Sequence, residues 1–163
     1  MINKNGKTRI AVDYRKLNEI TVRDNYMLPR VQEIIDCLAN KKWFTSVDCV
    51  QAYHQIEIKS ERDKDLTTFI VPGGGMYRYK RMPFGLKNAG ACWSRFIDNA
   101  LADLKCNICA VYADDILICT ESDSVEDHIK DLNLVFDRLD TFGIKVRGEK
   151  IKLVVKEFPF WCK

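Results

Sequence analysis

The chain has 163 residues, 47% of them hydrophobic and 30% charged, which fits about one packed domain and excludes a long repeat array or a disordered chain. Its 26 Lys plus Arg against 23 Asp plus Glu leave a net charge of +3, too small to diagnose a nucleic-acid partner, and no apolar run approaches the roughly 18 residues of a membrane span. Met1 is followed by no apolar core of a signal peptide, so the seven cysteines are expected to stay reduced and to act as small hydrophobes.

In chain order, Arg9 to Tyr14 alternates like a strand. Pro29 opens a segment in which Val31, Ile34, Ile35 and Leu38 have helical spacing. A strand follows at Trp43 to Cys49. Thr67 to Val71 and Met76 to Met82 flank Pro-Gly-Gly-Gly and predict a hairpin whose loop needs positive φ. Asn88 is placed to cap a helix with an apolar face from Ala89 to Leu104. Ile108 to Tyr112 and Ile116 to Thr120 are β-branched runs separated by Ala-Asp-Asp, a tight hairpin with acids at its tip. Ser124 and Asp127 resemble a capping box, and Val125, Ile129, Leu132, Val135, Phe136 and Leu139 carry a helix to Gly143, a C′ residue. Ile144 to Val146 begins another strand.

No repeat, linker or low-complexity segment divides the chain. From Trp43 onward, apart from the inserted hairpin, the order is strand, helix, strand, strand, helix, strand, which is the split βαβ order of an α+β fold. In that architecture two helices cover one face of an antiparallel sheet, and the first strand lies beside the central hairpin. Asp48 can then approach Asp114 and Asp115, although 66 residues separate Asp48 from Asp114. Three converging carboxylates repel one another and call for a cation. Hard oxygen donors suit Mg²⁺ or Mn²⁺, and two such ions support phosphoryl transfer. An isolated Asp-Asp pair, by contrast, more often only closes a turn. Cys106-Asn-Ile-Cys109 is a lone C-x-x-C far in sequence from either histidine, which argues against a zinc site. His54 reads as a packing or hydrogen-bonding residue, and His128 as a solvated helix residue. The basic clusters Arg78, Lys80, Arg81, Lys87 and Lys145, Arg147, Lys150, Lys152, Lys156 read equally as solvated faces or as phosphate-contacting tracks.

Five blocks go further: R-I-A-V-D-Y-R-K-L-N (9–18), L-P-R (28–30), F-T-S-V-D-C-V-Q-A-Y-H-Q-I (44–56), M-P-F-G-L-K-N-A (82–89) and Y-A-D-D-I-L-I (112–118). With these blocks in order, the chain from Arg9 to Lys163 resembles the fingers and palm of a reverse transcriptase of the gypsy-type LTR retrotransposons. The resemblance implies a reverse-transcriptase palm, with partial fingers (about 1–42 and 54–87), a palm (about 43–53 and 88–163) and no thumb. It also implies RNA-directed and DNA-directed DNA polymerase activity by two-metal nucleotidyl transfer with Mg²⁺ or Mn²⁺. By the same resemblance, Asp48, Asp114 and Asp115 match the metal-binding acids, and Arg9 a fingers arginine that grips the incoming triphosphate. Tyr53 matches the aromatic residue under the nucleotide sugar, Phe84 and Gly85 the loop lining the nucleotide pocket, and Lys150 a lysine near the leaving pyrophosphate. The partners implied are an RNA or DNA template with primer, deoxynucleoside triphosphates, and the rest of a Pol polyprotein with thumb, RNase H and integrase. The implied location is the cytoplasm, virus-like particles included, with access to the nucleus. Gly90 stands where the family usually has proline, and the closing F-P-F-W-C-K matches only loosely the family's primer-grip F-L-G-H. Against the family pattern the chain starts inside the fingers and stops where the thumb would begin, so it is expected to be a fragment or a decayed copy, either a catalytic core or a non-catalytic, nucleic-acid-binding or inert remnant.

Overall fold

A computed structural model describes residues 2–4, 7–9, 11–27 and 29–156, with the side chains of 2–4, 7–9 and 150 outside the description. In chain order its elements are β1 (Ile2–Lys4), β2 (Lys7–Arg9), α1 (Arg15–Ile20), α2 (Val31–Leu38), β3 (Trp43–Asp48), a 3₁₀ turn (Ala52–Gln55), α3 (Glu61–Asp65), β4 (Phe69–Val71) and β5 (Gly75–Tyr77). They continue with α4 (Ala89–Leu101), β6 (Cys109–Tyr112), β7 (Asp115–Thr120), α5 (Val125–Thr141), a second 3₁₀ turn (Gly148–Lys150) and β8 (Lys152–Val155). The chain divides into two contact units, residues 1–26 with 51–93 and residues 27–50 with 94–163.

The second unit carries an antiparallel sheet in the order β6-β7-β3-β8. Counted from β3, that is second, third, first, fourth, the split βαβ arrangement implied by the element order. Thr45 hydrogen-bonds His128 of α5, so the alternation of side chains puts Val47 on the α5 side too, and strand pairing puts Ile116 and Ile118 beside them. These residues meet Leu132, Val135 and Leu139 of α5 in a buried, mostly apolar layer. Arg138 of α5 donates to the Ala100 carbonyl (3.1 Å) and pairs with Asp103, which ties α5 to the end of α4. Gly143, at φ 66°, ends α5: the N–H of Gly143 donates to Asp140 and that of Ile144 to Leu139, a Schellman closure with glycine at C′. Ser124 caps the other end by accepting the Asp127 N–H (3.3 Å).

The first unit holds the β1–β2 and β4–β5 hairpins, α1 and α3. The Pro-Gly-Gly-Gly loop turns as expected, with Gly73 at φ 75° and Gly74 donating to Val71, although its strands are shorter than the apolar runs. The strand expected over Arg9 to Tyr14 ends at Arg9. Asp13 accepts the Arg15 N–H (3.0 Å) and starts α1 instead. Asn88 does not cap α4 with its side chain, which accepts from the Asp24 N–H and donates to the Val22 carbonyl. In the second unit, Ile144 to Val146 makes only the bridge Cys49–Val146, and the fourth strand is β8.

Two further expectations are overturned. Cys37 and Cys106, expected to stay reduced, are joined as a disulfide with Cα atoms 4.7 Å apart. The sheet brings the end of α2 to the loop before β6, a proximity invisible across 69 residues of sequence. Cys49, Cys109 and Cys119 do fill the core as small hydrophobes, and burial pushes their thiols up to about 12, 12 and 11.

His128 is not solvated but fully buried, and Ile129 takes the exposed position in its place. Thr120 donates its hydroxyl proton to Asp131, so it accepts from His128 Nδ1–H (2.8 Å). Thr45 Oγ1 accepts the Val154 N–H (3.1 Å) and donates to Nε2 (2.9 Å). Every donor finds an acceptor only when the imidazole is neutral, and burial accordingly holds its pKa below the ordinary 6.5, against a smaller opposing effect of Asp131. The unfolded chain therefore binds this proton more readily, so the His128 contribution to stability is complete above about pH 6.5 and is lost as pH falls below it. Melting temperatures measured between pH 7 and pH 5 should fall more steeply for the parent than for His128→Gln, whose amide cannot take up a proton.

Candidate active site

The acidic site of the second unit is made by register. Antiparallel pairing of β3 with β7 sets Asp48 directly opposite Asp115, both on the face turned away from α5. Ala113 and Asp114 form the two-residue turn between β6 and β7, with Ala113 in the left-handed region at φ 52°. The Asp114 carbonyl accepts the Cys49 N–H (2.9 Å), which fixes the turn against the end of β3. Like charges directly opposite each other on a sheet are unfavourable. Asp114 adds a third acid whose buried Oδ1 has no hydrogen-bond partner. Burial, and then the charge of Asp48, raises the Asp114 carboxyl above its usual range. After burial, the charges of Asp114, Asp48 and Asp115 act in that order on the Cys49 thiol, so all three acids act on one spot.

An orphaned carboxylate oxygen beside two further acids is a donor set suited to a hard divalent cation. Among the described residues no three His, Cys, Asp or Glu side chains are gathered closely enough to hold an ion unaided. The expected gathering of Asp48, Asp114 and Asp115 into a ready ion site is thus only partly met, by the opposition of Asp48 and Asp115 and the orphaned Oδ1 of Asp114. The reading of the sequence did not single out Arg147, which it placed only in a basic cluster. Arg147 donates its backbone N–H to the Asp48 carbonyl (2.9 Å), and its guanidinium lies 3.9 Å from Asp48 Oδ2. The signal that could have found it is the parity of the returning strand, hidden by the misplaced fourth strand.

Tyr53, Phe84 and Gly85 come together in the first unit. The Tyr53 and Phe84 rings are 5.3 Å apart, and His54 packs edge-on against Phe84 (4.9 Å) and stacks with Tyr79 (6.1 Å), the packing role expected of it. Gly85 sits at φ 92°, where a side chain would be strained, and its carbonyl accepts from the Asn18 amide (2.8 Å). Arg9 ends β2 and Lys150 ends the second 3₁₀ turn, and both side chains lie outside the description.

Residues 2–161 match the family model described as reverse transcriptase (RNA-dependent DNA polymerase). The chain belongs to the reverse transcriptase family. It is 40% identical over 155 residues to the retrovirus-related Pol polyprotein from transposon 297 of Drosophila melanogaster, covering 95% of this chain. To the Pol polyprotein from transposon gypsy of the same organism it is 38% identical over 148 residues, 91% of this chain. It spans 14% of the length of each of these relatives. Among solved structures, a foamy viral protease-reverse transcriptase in complex with double-stranded DNA matches with TM-score 0.85 and 26% identity, over 99% of this chain and 27% of that one.

A carboxyl whose folded-state pKa is raised favours folding when protonated, and the charged form is a liability as pH rises through the folded value. Asp114→Asn should therefore raise the melting temperature at pH 7 in the absence of divalent ions, with the gain shrinking toward pH 4, as followed by circular dichroism.

Proposed function

We propose that the chain is the catalytic part of an RNA-directed and DNA-directed DNA polymerase carried in a retroelement polyprotein. The observation that carries this reading is the opposition of Asp48 and Asp115 beside the orphaned oxygen of Asp114, in a chain that the family model matches almost end to end. Asp48, Asp114 and Asp115 would hold two Mg²⁺ or Mn²⁺ ions, which when bound activate the attacking primer hydroxyl and stabilise the leaving phosphate. The remaining roles fall to other side chains. The Arg9 guanidinium suits bidentate binding of triphosphate oxygens. Phe84 and Gly85 line the nucleotide pocket, Tyr53 lies under the sugar, and Lys150 protonates the leaving pyrophosphate. In this reading the fingers comprise about 1–42 and 54–87 and the palm about 43–53 and 88–163. The partners are a primed RNA or DNA template, deoxynucleoside triphosphates and the remainder of the polyprotein, in the cytoplasm or in virus-like particles.

Primer extension on RNA and DNA templates with Mg²⁺ or Mn²⁺ tests the reading. Extension is expected, and Asp114→Asn should reduce it at least about 100-fold, the scale on which a single electrostatic group at a reacting centre acts. An Asp114→Asn chain that extends primers at the parent rate overturns the assignment, and a folded parent that extends nothing identifies a non-catalytic remnant.

Tyr53→Val tests the sugar contact. It should raise ribonucleotide incorporation relative to deoxynucleotide by about ten-fold, or about 1.4 kcal/mol of lost discrimination. A variant with a lower melting temperature but unchanged selectivity would show that Tyr53 only fills the aromatic cluster.

A further inference from the structure

We propose that Arg147 is a tethered counter-cation of Asp48 that holds down the affinity of the acidic site for a divalent ion alone, so that the ion enters readily only in company with a polyphosphate. The proposal rests on the reading of Asp48, Asp114 and Asp115 as ion ligands.

The backbone places Arg147 with little freedom. Val50 donates to the Lys145 carbonyl (2.9 Å) and Arg147 to the Asp48 carbonyl (2.9 Å), on either side of the Cys49–Val146 bridge. Residue 147 is thereby opposite residue 48, and by parity it shares the face of Asp48 and Asp115. A row across three adjacent chain segments reads Asp115, Asp48, Arg147, with two negative charges followed by one positive. The guanidinium closes to 3.9 Å of Asp48 Oδ2 while Arg147 keeps 36% of its side-chain surface exposed, so it is near enough to neutralise the acid and free enough to leave it.

Arginine does not give up its proton at any physiological pH, so only competition removes its charge from Asp48. A bare divalent ion approaching the acids meets that charge and is opposed by it. An ion that arrives with a polyphosphate supplies phosphate oxygens, to which the guanidinium can turn with a better two-point fit than it has at Asp48. The repulsion then becomes an attraction. An ordinary surface ion pair would leave ion binding unchanged, and a pair that merely positioned Asp48 would weaken ion binding when broken.

Mn²⁺ titrations of the full chain, with free ion followed by electron paramagnetic resonance and folding by circular dichroism, separate these cases. Arg147→Gln and Arg147→Met should each bind Mn²⁺ about five-fold more tightly than the parent, as expected for losing one like charge at this range. Arg147→Lys should stay near the parent, and inorganic tripolyphosphate should tighten Mn²⁺ binding more in the parent than in the neutral variants. If the neutral variants bind Mn²⁺ no better than the parent while Asp114→Asn still abolishes binding, the role of Arg147 is overturned and the ligand reading stands. If Asp114→Asn leaves binding unchanged, or no chain binds Mn²⁺, the ligand reading falls and the proposal falls with it.

Discussion

The register of β3 against β7 holds two carboxylates opposite each other at a cost, and most of the second unit serves to enforce that register. On the α5 side the same pairing aligns Val47 with Ile116 and Thr45 with Ile118, all of them buried. A slip by one residue would turn these side chains to the open face and drive Asp48 and Asp115 into the apolar layer. The apolar layer thus supplies the free energy that keeps the acids together, and the repulsion between them is the part of the pairing left for a cation to relieve.

The third and fourth neighbours of that pair are delivered by backbone geometry rather than by side-chain attraction. The two-residue turn puts Asp114 beside the end of β3 through its own carbonyl. At the other end of α5, the left-handed Gly143 reverses the chain and aims residues 144–147 back along β3. One glycine therefore governs whether a guanidinium stands next to Asp48. Behind the sheet, the neutral imidazole of His128 links α5 to β3 and β7 and joins their hydroxyls in a closed set of hydrogen bonds, so the face that carries no chemistry is also polar at one point and tightly specified there.

Much of this was legible in the residues, because the features that locate the acids are local. Two β-branched runs around Ala-Asp-Asp define the hairpin, and the split element order places Trp43 to Asp48 beside it. Family motifs in order identified the family of the chain, and two of the residues they single out, Tyr53 and Phe84, are in ring contact. What escaped depended on contacts between distant segments. His128 has a polar side chain in an amphipathic helix, and only the opposing Thr45 and Thr120 make it a core residue. Cys37 and Cys106 are neighbours only through the placement of α2 against β6. Asn88 looked like a helix cap because its competing partners, the backbone of Val22 and Asp24, lie more than 60 residues away. The apolar residues Ile144 to Val146 past Gly143 suggest the start of a strand, but their pairing consists of a single bridge before β8 takes over.

The two hairpins with described turns differ in how they tolerate length. Between β4 and β5, side chains added at Gly73 or Gly75 would meet nothing within 4 Å, and extra residues could loop into solvent without disturbing the paired strands. Between β6 and β7 there is no such slack. A single inserted residue would have to be absorbed in the turn itself, because the pairing of β7 with β3 fixes the facing of its side chains, and it would displace the Asp114 carbonyl from the Cys49 N–H. The Ala113–Asp114 turn therefore works as a ruler that sets where the third acid stands, whereas the glycine loop is free in length but not in sequence, since Gly73 and Gly75 hold positive φ that a side chain would strain.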